Sequence, residues 1–303
     1  MPLVSVLITA YNREKYIAEA IESVLNSTFT DYEIIVLDDC SADNTLQIAK
    51  EYAIKDSRVI VHANKKNLGQ FANRNKITSF ATGKYIKYLD SDDKVLPMAL
   101  SIMVSGMEDA PSAGIGIEYY APSPFIKGDN LPVTLSPVQA YKSNFEGGGL
   151  LTPGPSACIY TKEKFDAVGG FDESFGINTD VHLNLKIAAI SEVVVLPIDL
   201  VYWRTHNEQV HGEQVNQFKM LKEKFDINKD ILFSKNNPTG ESNKKYYYKI
   251  QQILYTRNLF KLFLFKGKIK MFFKLLSSDR VSFLQLWYAL IPIGMLKKIY
   301  KLA

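Results

Sequence analysis

Short apolar runs alternate with helical periodicity over the first hundred residues. Runs of mostly apolar or β-branched residues predict buried strands at 4–8, 33–37, 59–61 and 85–89. Between them, apolar positions recur every three or four residues and predict helices at 14–26, 43–55 and 70–81. Strands that alternate with helices of this length predict an α/β fold with a parallel sheet and right-handed crossover connections.

The pattern weakens in the middle of the chain and then returns. Between 98 and 138, glycines and prolines interrupt the apolar runs, and no long element is predicted. Further on, the pattern predicts a strand at 157–160, a helix at 180–189, strands at 193–196 and 200–204, and a helix at 213–225. The polar segment 236–240 is typical of a linker, so we expect a domain at 1–235 and a tail at 236–303.

Charge is distributed unevenly between these two parts. The whole chain is 47% hydrophobic and 22% charged with a formal net charge of +4, which is typical of a globular protein with a substantial core. Residues 240–303 nevertheless hold 13 Lys and Arg against two acidic residues. A basic, aromatic-rich tail therefore follows a mildly acidic body, and this predicts an acidic partner for the tail.

The tail also has the pattern of an amphipathic helix. Its apolar positions form one helical stripe, and lysines form a row beside it: Phe265, Ile269, Phe272 and Leu276, with Lys266, Lys270 and Lys274. The apolar segment 283–296 is shorter than the roughly 20 residues of a spanning helix. We expect peripheral contact with an anionic membrane through 240–303, the alternative being a packing extension or a homodimer interface. No nucleic-acid partner is expected, because no nucleic-acid-binding module accompanies the charge.

The cysteines and the N-terminus bear on the cellular compartment. Cys40 and Cys158 are too few for a secreted disulfide framework, and neither has a Cys or His partner at zinc-finger spacing. The first residues also lack the basic region and long apolar stretch of a signal peptide. These features predict a cytoplasmic protein, peripheral on the inner face of the cell membrane.

An acidic run, Asp90-Ser91-Asp92-Asp93, directly follows the predicted strand at 85–89. Three carboxylates within four positions repel one another and need a compensating cation. Ligands bind at the carboxyl ends of strands in open α/β sheets, and Asp-X-Asp there can hold Mg²⁺ or Mn²⁺ while leaving positions for phosphate oxygens. The alternative is an acidic loop that caps the following helix.

Common nucleotide-binding loops are missing from the sequence. The first strand is not followed by GxGxxG, and no Walker A loop is present. The segment after that strand, 9–12, also lacks the basic, glycine-rich loop that a nucleotidyltransferase would need.

Several motifs resemble those of the family 2 glycosyltransferases, which have the GT-A fold and use nucleotide-activated sugars. The motifs are PLVSVLITAYN (2–12), AIESVL (20–25), VLDDCSADNT (36–45), NLG (67–69) with RN (74–75), LDSDD (89–93) and GGFDE (169–173). They occur in family order over about the first 210 residues. The resemblance implies a Rossmann-like, mostly parallel sheet flanked by helices, with a nucleotide-binding half at 1–95, an acceptor-side half at 96–235 and a C-terminal α-helical extension.

The resemblance also assigns residues to a donor site. The matching positions are Thr9, Ala10, Tyr11, Asp39, Arg74, Asp90 and Ser91. Tyr11 is expected to stack on a uracil-like base and Asp39 to accept its imide N–H, the alternatives being a rim aromatic and a helix cap. Arg74 is expected to neutralise phosphate or contact the base, the alternative being a structural salt bridge. Cys40 stands where the family usually has glycine, so we expect strain in that turn.

A divalent metal, Mn²⁺ or Mg²⁺, is the cofactor that the resemblance implies. Asp92 would ligate it directly, whereas Asp90 would bind it through water or hold the ribose hydroxyls. His206 would reach the metal or the diphosphate, although a lone histidine is more often an ordinary hydrogen-bonded residue.

The catalytic base implied by the resemblance is Asp180, in a segment that opens a helix. Thr179 replaces the glutamate that usually precedes this aspartate. One alternative is that Asp180 only complements the helix dipole. Another is that His182, two residues further on, acts as the base, although the two side chains would face different ways on a helix.

The implied reaction moves a sugar from a nucleotide-sugar donor, of which UDP-sugar is the preferred class, to a hydroxyl acceptor with inversion. We expect a glycan or lipid-linked acceptor, as in the synthesis of cell-surface polysaccharide. Two alternatives remain open at this point: a non-catalytic binding or assembly protein with a decayed site, and a nucleotidyltransferase.

Overall fold

The computed structural model describes residues 1–119, 123, 125–126, 131–206 and 217–266, with side chains described up to 261. The strands are β1 Val4–Ala10, β2 Tyr32–Asp38, β3 Val59–Ala63, β4 Tyr85–Asp90, β5 Lys94–Val95, β6 Ala113–Glu118, β7 Val133–Leu135, β8 Cys158–Thr161, β9 Glu192–Leu196 and β10 Val201–Tyr202. The helices are α1 Ile17–Leu25, α2 Thr45–Lys55, α3 Gln70–Thr78, α4 Ala99–Glu108, α5 Pro137–Glu146, α6 Lys162–Ala167, α7 Thr179–Ile190, α8 Gln217–Phe233 and α9 Gly240–Lys266.

Eight of these strands form one sheet in the order β3-β2-β1-β4-β8-β6-β9-β7. The first four strands in this order are mutually parallel, β6 is parallel to β9, and β8 and β7 run antiparallel to their neighbours. Strand β2 is buried along its whole length, as are Ile17, Ala20, Ile21 and Val24 of α1. The predicted mostly parallel sheet is therefore confirmed, and the apolar runs predicted β1, β2 and β4 because both faces of those strands are covered.

The middle of the chain is more regular than its sequence pattern predicts. It contains α4, β6 and β7, although glycines interrupt the apolar run of β6. Gly116 in β6 lies so close to β8 that a β-carbon there would approach Ile159 Cγ2 to 2.8 Å. Close packing between strands requires the glycine, so this residue indicates a buried strand here and not a break.

The chain divides into two compact units, one of Met1–Ser174 with Thr179–Asn207 and one of Phe175–Asn178 with Glu208–Ala303. The sequence places the boundary at 235/236, whereas α8 groups with α9 in the second unit. The reason is the apolar face of α8: Phe225 stacks on Tyr255 of α9 with 4.7 Å between ring centroids. The segment 236–240 is therefore a connection inside the second unit.

The C-terminal tail is described only in part. Among the described residues, no helix combines the length and the apolar character that crossing a bilayer requires. The predicted amphipathic stripe depends on side chains outside the described residues, as does the apolar segment 283–296. Membrane contact through 240–303 therefore stays a prediction.

Candidate active site

The predicted donor-site residues meet at the carboxyl edge of the sheet. Strands β1, β2 and β4 are parallel neighbours, with Ala10 paired to Asp38 and Thr9 paired to Asp90. Parallel strands end at the same edge, so the loops that follow them converge there. Tyr11 follows β1 and is 47% exposed, which leaves its ring accessible to a ligand.

Asp39 follows β2 and is buried within a polar network. Its carboxylate accepts hydrogen bonds from the Leu68 N–H at 2.9 Å, the Gly69 N–H at 3.0 Å and the Asn64 amide at 2.7 Å. The side chain therefore ties the β2–α2 loop to the loop before α3. If Asp39 accepts the N–H of the nucleotide base, as expected, its carboxylate is already oriented by these hydrogen bonds.

The next residue, Cys40, has a left-handed backbone conformation with φ +65°. A side chain costs free energy there because the β-carbon crowds the following carbonyl, which is why glycine is favoured. The strain expected from the Cys-for-Gly difference is confirmed.

Arg74, on α3, is 3% exposed and pairs with the carboxylate that ends β4. One of its terminal nitrogens lies 2.5 Å from Asp90 Oδ1, and its guanidinium lies over the Phe71 ring. Burial acts to raise the pKa of Asp90, but the Arg74 charge and hydrogen bond outweigh it and leave that pKa lowered. In this structure Arg74 therefore forms a salt bridge, which was the alternative to a contact with phosphate or base.

Asp92 and His206 lie together on the other side of the acidic run. His206 Nε2 is 2.9 Å from Asp92 Oδ2, and the imidazole stacks on the Tyr16 ring with 4.7 Å between centroids. Arg13 Nε lies 3.2 Å from the same carboxylate oxygen. The Asp92 side chain is only 12% exposed, so these partners fix its position.

The sequence predicts three metal-ligating residues, Asp90, Asp92 and His206, and the structure brings Asp92 and His206 into contact. Within the described part of the chain, no three His, Cys, Asp or Glu side chains are grouped so that they could hold a metal ion. Asp90 does not join Asp92 and His206 because its carboxylate pairs with Arg74. Adjacent donors of an octahedral ion, each about 2.1 Å from it, lie about 3 Å apart, so Asp92 and His206 fit as two neighbouring ligands.

The remaining members of the run are buried, and Asp93 accepts a hydrogen bond from Arg204, which follows β10. Ser91 and Asp93 are 5% and 7% exposed. The Arg204 backbone N–H donates to Asp93 Oδ1 at 3.0 Å, and Arg204 Nε donates to the Asp92 carbonyl at 3.0 Å. Burial raises the pKa of Asp93 to about 7, against the Arg204 hydrogen bond and with the help of the Asp90 and Asp92 charges.

Asp180 lies in the first turn of α7, where its Oδ1 accepts the Val181 N–H at 2.8 Å. Burial raises the pKa of Asp180 to about 6, although the Arg74 charge opposes this rise. At neutral pH the carboxylate is therefore mostly ionised and can accept a proton. Thr179, at the position of the usual glutamate, is turned away to donate to the Asp172 carbonyl, and His182 is buried at 3% exposure.

Two further polar residues, Lys87 and Ser156, lie beside the acidic run and were not predicted as site residues. Lys87, in β4, is fully buried, and its ammonium donates to the Tyr88 and Ser156 carbonyls. Burial lowers the pKa of Lys87 to about 8, opposed mainly by the Glu118 charge. The Ser156 hydroxyl in turn accepts the Asp90 N–H at 3.1 Å. A lysine inside a buried strand next to an acidic run is the one pattern that indicates such a contact.

Comparison with known proteins identifies the family and the fold of the chain. The model of the family described as Glycosyl transferase family 2 matches residues 5–169, more than half of the chain. One relative is the E. coli UDP-Glc:alpha-D-GlcNAc-diphosphoundecaprenol beta-1,3-glucosyltransferase WfaP, 37% identical over 126 residues that cover 42% of this chain and 49% of WfaP. The first curated relatives that the chain matches are covered over about a third of their own length.

Solved structures with the same fold include two nucleotide-sugar complexes. S. aureus TarS 1-349 in complex with UDP-GlcNAc has a TM-score of 0.63 and 23% identity, over 81% of this chain and 70% of that one. The mannosyltransferase PcManGT from Pyrobaculum calidifontis, in complex with GDP-Man and Mn²⁺, has a TM-score of 0.62 and 16% identity, over 84% and 71%. The chain therefore belongs to glycosyl transferase family 2 and has the GT-A fold that its motifs predict.

Proposed function

We propose that this protein transfers a sugar from a UDP-sugar to a hydroxyl acceptor with inversion of the anomeric centre. The observation that carries the proposal is the convergence of Asp90, Asp92 and Asp180 around the carboxyl edge of the sheet, with Arg74 coupled electrostatically to both Asp90 and Asp180. A single displacement needs a base for the acceptor hydroxyl and a site for the departing diphosphate. We assign these roles to Asp180 and to the carboxyl edge of the sheet.

In the proposed reaction, Asp180 accepts the proton of the acceptor hydroxyl as its oxygen attacks the anomeric carbon. The bond between that carbon and the phosphate oxygen breaks on the opposite face, and its electron pair leaves with the nucleoside diphosphate. Because attack and departure occur on opposite faces, the configuration inverts. An Asp180 pKa of about 6 keeps the base ionised yet basic at neutral pH, which supports catalysis over a decayed site.

Asp92 and His206 are the residues that would hold Mn²⁺ or Mg²⁺. A bound divalent ion would neutralise the charge that develops on the departing diphosphate. Carboxylate oxygen suits Mg²⁺ and Mn²⁺, and Mg²⁺ is often bound by one or two carboxylates plus substrate phosphates. The Asp92 carboxylate, with His206 beside it, is therefore sufficient for a site that the donor completes. Arg13 donates to the same Asp92 oxygen and so helps to orient that carboxylate.

For the donor base, the proposal keeps Tyr11 as the stacking residue and Asp39 as the acceptor for the uracil imide. The exposed ring of Tyr11 supports the first role, and the fixed carboxylate of Asp39 supports the second. Arg74 is reassigned from direct ligand contact to support of Asp90, because its guanidinium is buried in that pair. The proposal also keeps Thr9 and Ala10, at the end of β1, and Ser91, directly after β4, as donor-site residues.

We propose a cell-surface glycan or its lipid-linked precursor as the acceptor. The name of WfaP specifies a diphosphoundecaprenol-linked acceptor and a UDP-Glc donor, and other relatives are named for teichuronic acid and chondroitin synthesis. Work at the inner face of the cell membrane would suit such an acceptor and the basic tail of this chain.

The test is release of nucleoside diphosphate from a panel of UDP-sugars and from GDP-mannose, with Mn²⁺ and a mixture of lipid-linked and free glycan acceptors. The proposal predicts UDP release from at least one UDP-sugar together with a glycosylated product. Release from GDP-mannose alone would overturn the UDP assignment, and a retained anomeric configuration in the product would overturn the single displacement.

A further inference from the structure

The base-bearing helix α7 contains a buried asparagine one turn after Asp180. Residues four apart lie on the same side of a helix, so Asn184 and Asp180 face the same neighbours. Asn184 is fully buried. Its amide nitrogen donates to the Leu151 carbonyl at 3.2 Å and the Pro153 carbonyl at 2.9 Å, and its oxygen accepts the Tyr160 hydroxyl at 2.9 Å.

These contacts hold one end of the loop 151–156. The other end is held by β4: the Ser156 hydroxyl accepts the Asp90 N–H at 3.1 Å, and the Ser156 carbonyl accepts a hydrogen bond from the Lys87 ammonium. Between the two ends, Gly154 faces the base, since a β-carbon there would lie 3.7 Å from Asp180 Oδ2. The loop is thus fastened both to the strand of the acidic run and to the helix of the base.

We propose that Asn184 is a positioning residue that sets the location of Asp180 relative to Asp90 through the loop 151–156. The inference rests on the proposed role of Asp180 as catalytic base. Asn184 does not touch the reacting atoms; it acts by fixing α7 to a loop that β4 also fixes. A displacement of about 1 Å in a catalytic group can cost about a hundredfold in rate, so such a contact affects turnover more than donor binding.

The hydrogen bonds of the Asn184 amide explain why an asparagine is required at this position. An apolar side chain of the same size would fill the volume but leave the Leu151 and Pro153 carbonyls without this donor. A buried carbonyl that loses its hydrogen-bond donor destabilises the local structure. The loop would relieve that cost by moving, and its movement would shift the base.

The test compares three variants of the full-length protein. Asn184→Leu keeps the number and branching of the side-chain heavy atoms and removes the hydrogen bonds to Leu151, Pro153 and Tyr160. Tyr160→Phe removes only the hydroxyl that orients the Asn184 amide, and serves if Asn184→Leu does not fold. Tyr141→Phe is the matched control, because its buried hydroxyl donates to the Leu185 carbonyl of the same helix at 3.0 Å but not to the loop.

The first readout is amide hydrogen exchange, which does not depend on catalysis. We expect exchange over 150–158 to be at least about tenfold faster in Asn184→Leu and measurably faster in Tyr160→Phe, with no such change in Tyr141→Phe. Unchanged exchange of this loop in both test variants overturns the proposal. If the wild-type protein transfers no sugar, the proposed function fails while this result still decides whether Asn184 holds the loop.

The second readout is the split between kcat and KM. We expect kcat to fall about 10- to 100-fold in Asn184→Leu and about threefold in Tyr160→Phe, with the donor KM and the affinity for UDP within about twofold of wild type. A kcat equal to that of Tyr141→Phe, or a loss of UDP affinity as large as the loss of kcat, overturns the proposal. We express kcat per mole of UDP-binding protein, because a general loss of stability would reduce the binding stoichiometry and leave this kcat unchanged, whereas a positioning role lowers it.

Discussion

His206 Nε2 lies 2.9 Å from Asp92 Oδ2, although 114 positions separate the two residues in the chain. The contact joins the loop after β4 to the segment after β10. Both atoms are metal-ligating types, and their separation suits neighbouring positions on one ion. The structure therefore narrows the three ligands expected from the sequence to a proposed pair.

Replacing the proposed base tests the chemistry of Asp180. We expect Asp180→Asn to lower kcat by about 10²- to 10⁴-fold with little change in donor KM, because the amide cannot accept the acceptor proton. Steady-state kinetics with saturating acceptor measures this. Asp166→Asn, which changes an exposed carboxylate paired with Lys162, is the control and should keep wild-type turnover. A kcat for Asp180→Asn near that of the control would assign the base elsewhere.

The pH profile of turnover tests the ionisation state of the same group. Burial raises the pKa of Asp180 to about 6, and a base works only when it is deprotonated. We therefore expect kcat to rise with pH through about 6 and to level off above it. Turnover that increases as the pH falls below this value would contradict the assignment.

We expect substitution of Arg74 to shift the pH profile of turnover, although Arg74 does not contact the acceptor. Its positive charge lowers the pKa of Asp180, so Arg74→Met is expected to raise that pKa and move the acid limb of the profile to higher pH. Arg74→Lys keeps the charge and should leave the limb nearer to its wild-type position. Parallel measurements of kcat against pH check the shift, and an identical limb in wild type and Arg74→Met would disprove the coupling.

Cys40 offers a test of stability that is independent of catalysis. Glycine relieves the left-handed strain, so we expect Cys40→Gly to raise the free energy of unfolding by about 0.5–1 kcal/mol. Cys40→Ala removes the thiol but keeps a β-carbon, and should show no comparable gain. Urea denaturation of the three proteins at equal ionic strength distinguishes them. Equal gains in both variants would attribute the effect to the thiol and not to the backbone.

The sequence was informative where local pattern and packing agree. The strands β1, β2 and β4 are apolar runs that are buried on both faces, so their positions followed directly from periodicity. Strand β6 was missed because Gly116 is demanded by the approach of Ile159, a contact that no local pattern encodes. The grouping of α8 with α9 was missed for the same reason, since it depends on Phe225 meeting Tyr255.

The candidate site shows the same division. Family motifs predicted roles for Asp39, Asp90, Asp92 and Asp180, because these residues end or follow strands or open a helix at recognisable places. Several supporting contacts come from distant parts of the chain: Arg13 with Asp92, Ser156 with Asp90, and Arg204 with Asp93. A single sequence contains no distances between such residues, so the pairing of Asp90 with Arg74 and the fastening of the loop 151–156 required the structure.

The most direct test of the account is isothermal titration of the protein with UDP and with GDP, each with and without Mn²⁺. We predict that UDP binds more tightly in the presence of Mn²⁺, that GDP binds weakly, and that Asp92→Asn loses the effect of the metal while the protein stays folded. Binding of UDP that is indifferent to Mn²⁺ would contradict the metal site at Asp92 and His206. A preference for GDP would contradict the proposed donor class, and no binding of either nucleotide by folded protein would contradict the proposed function.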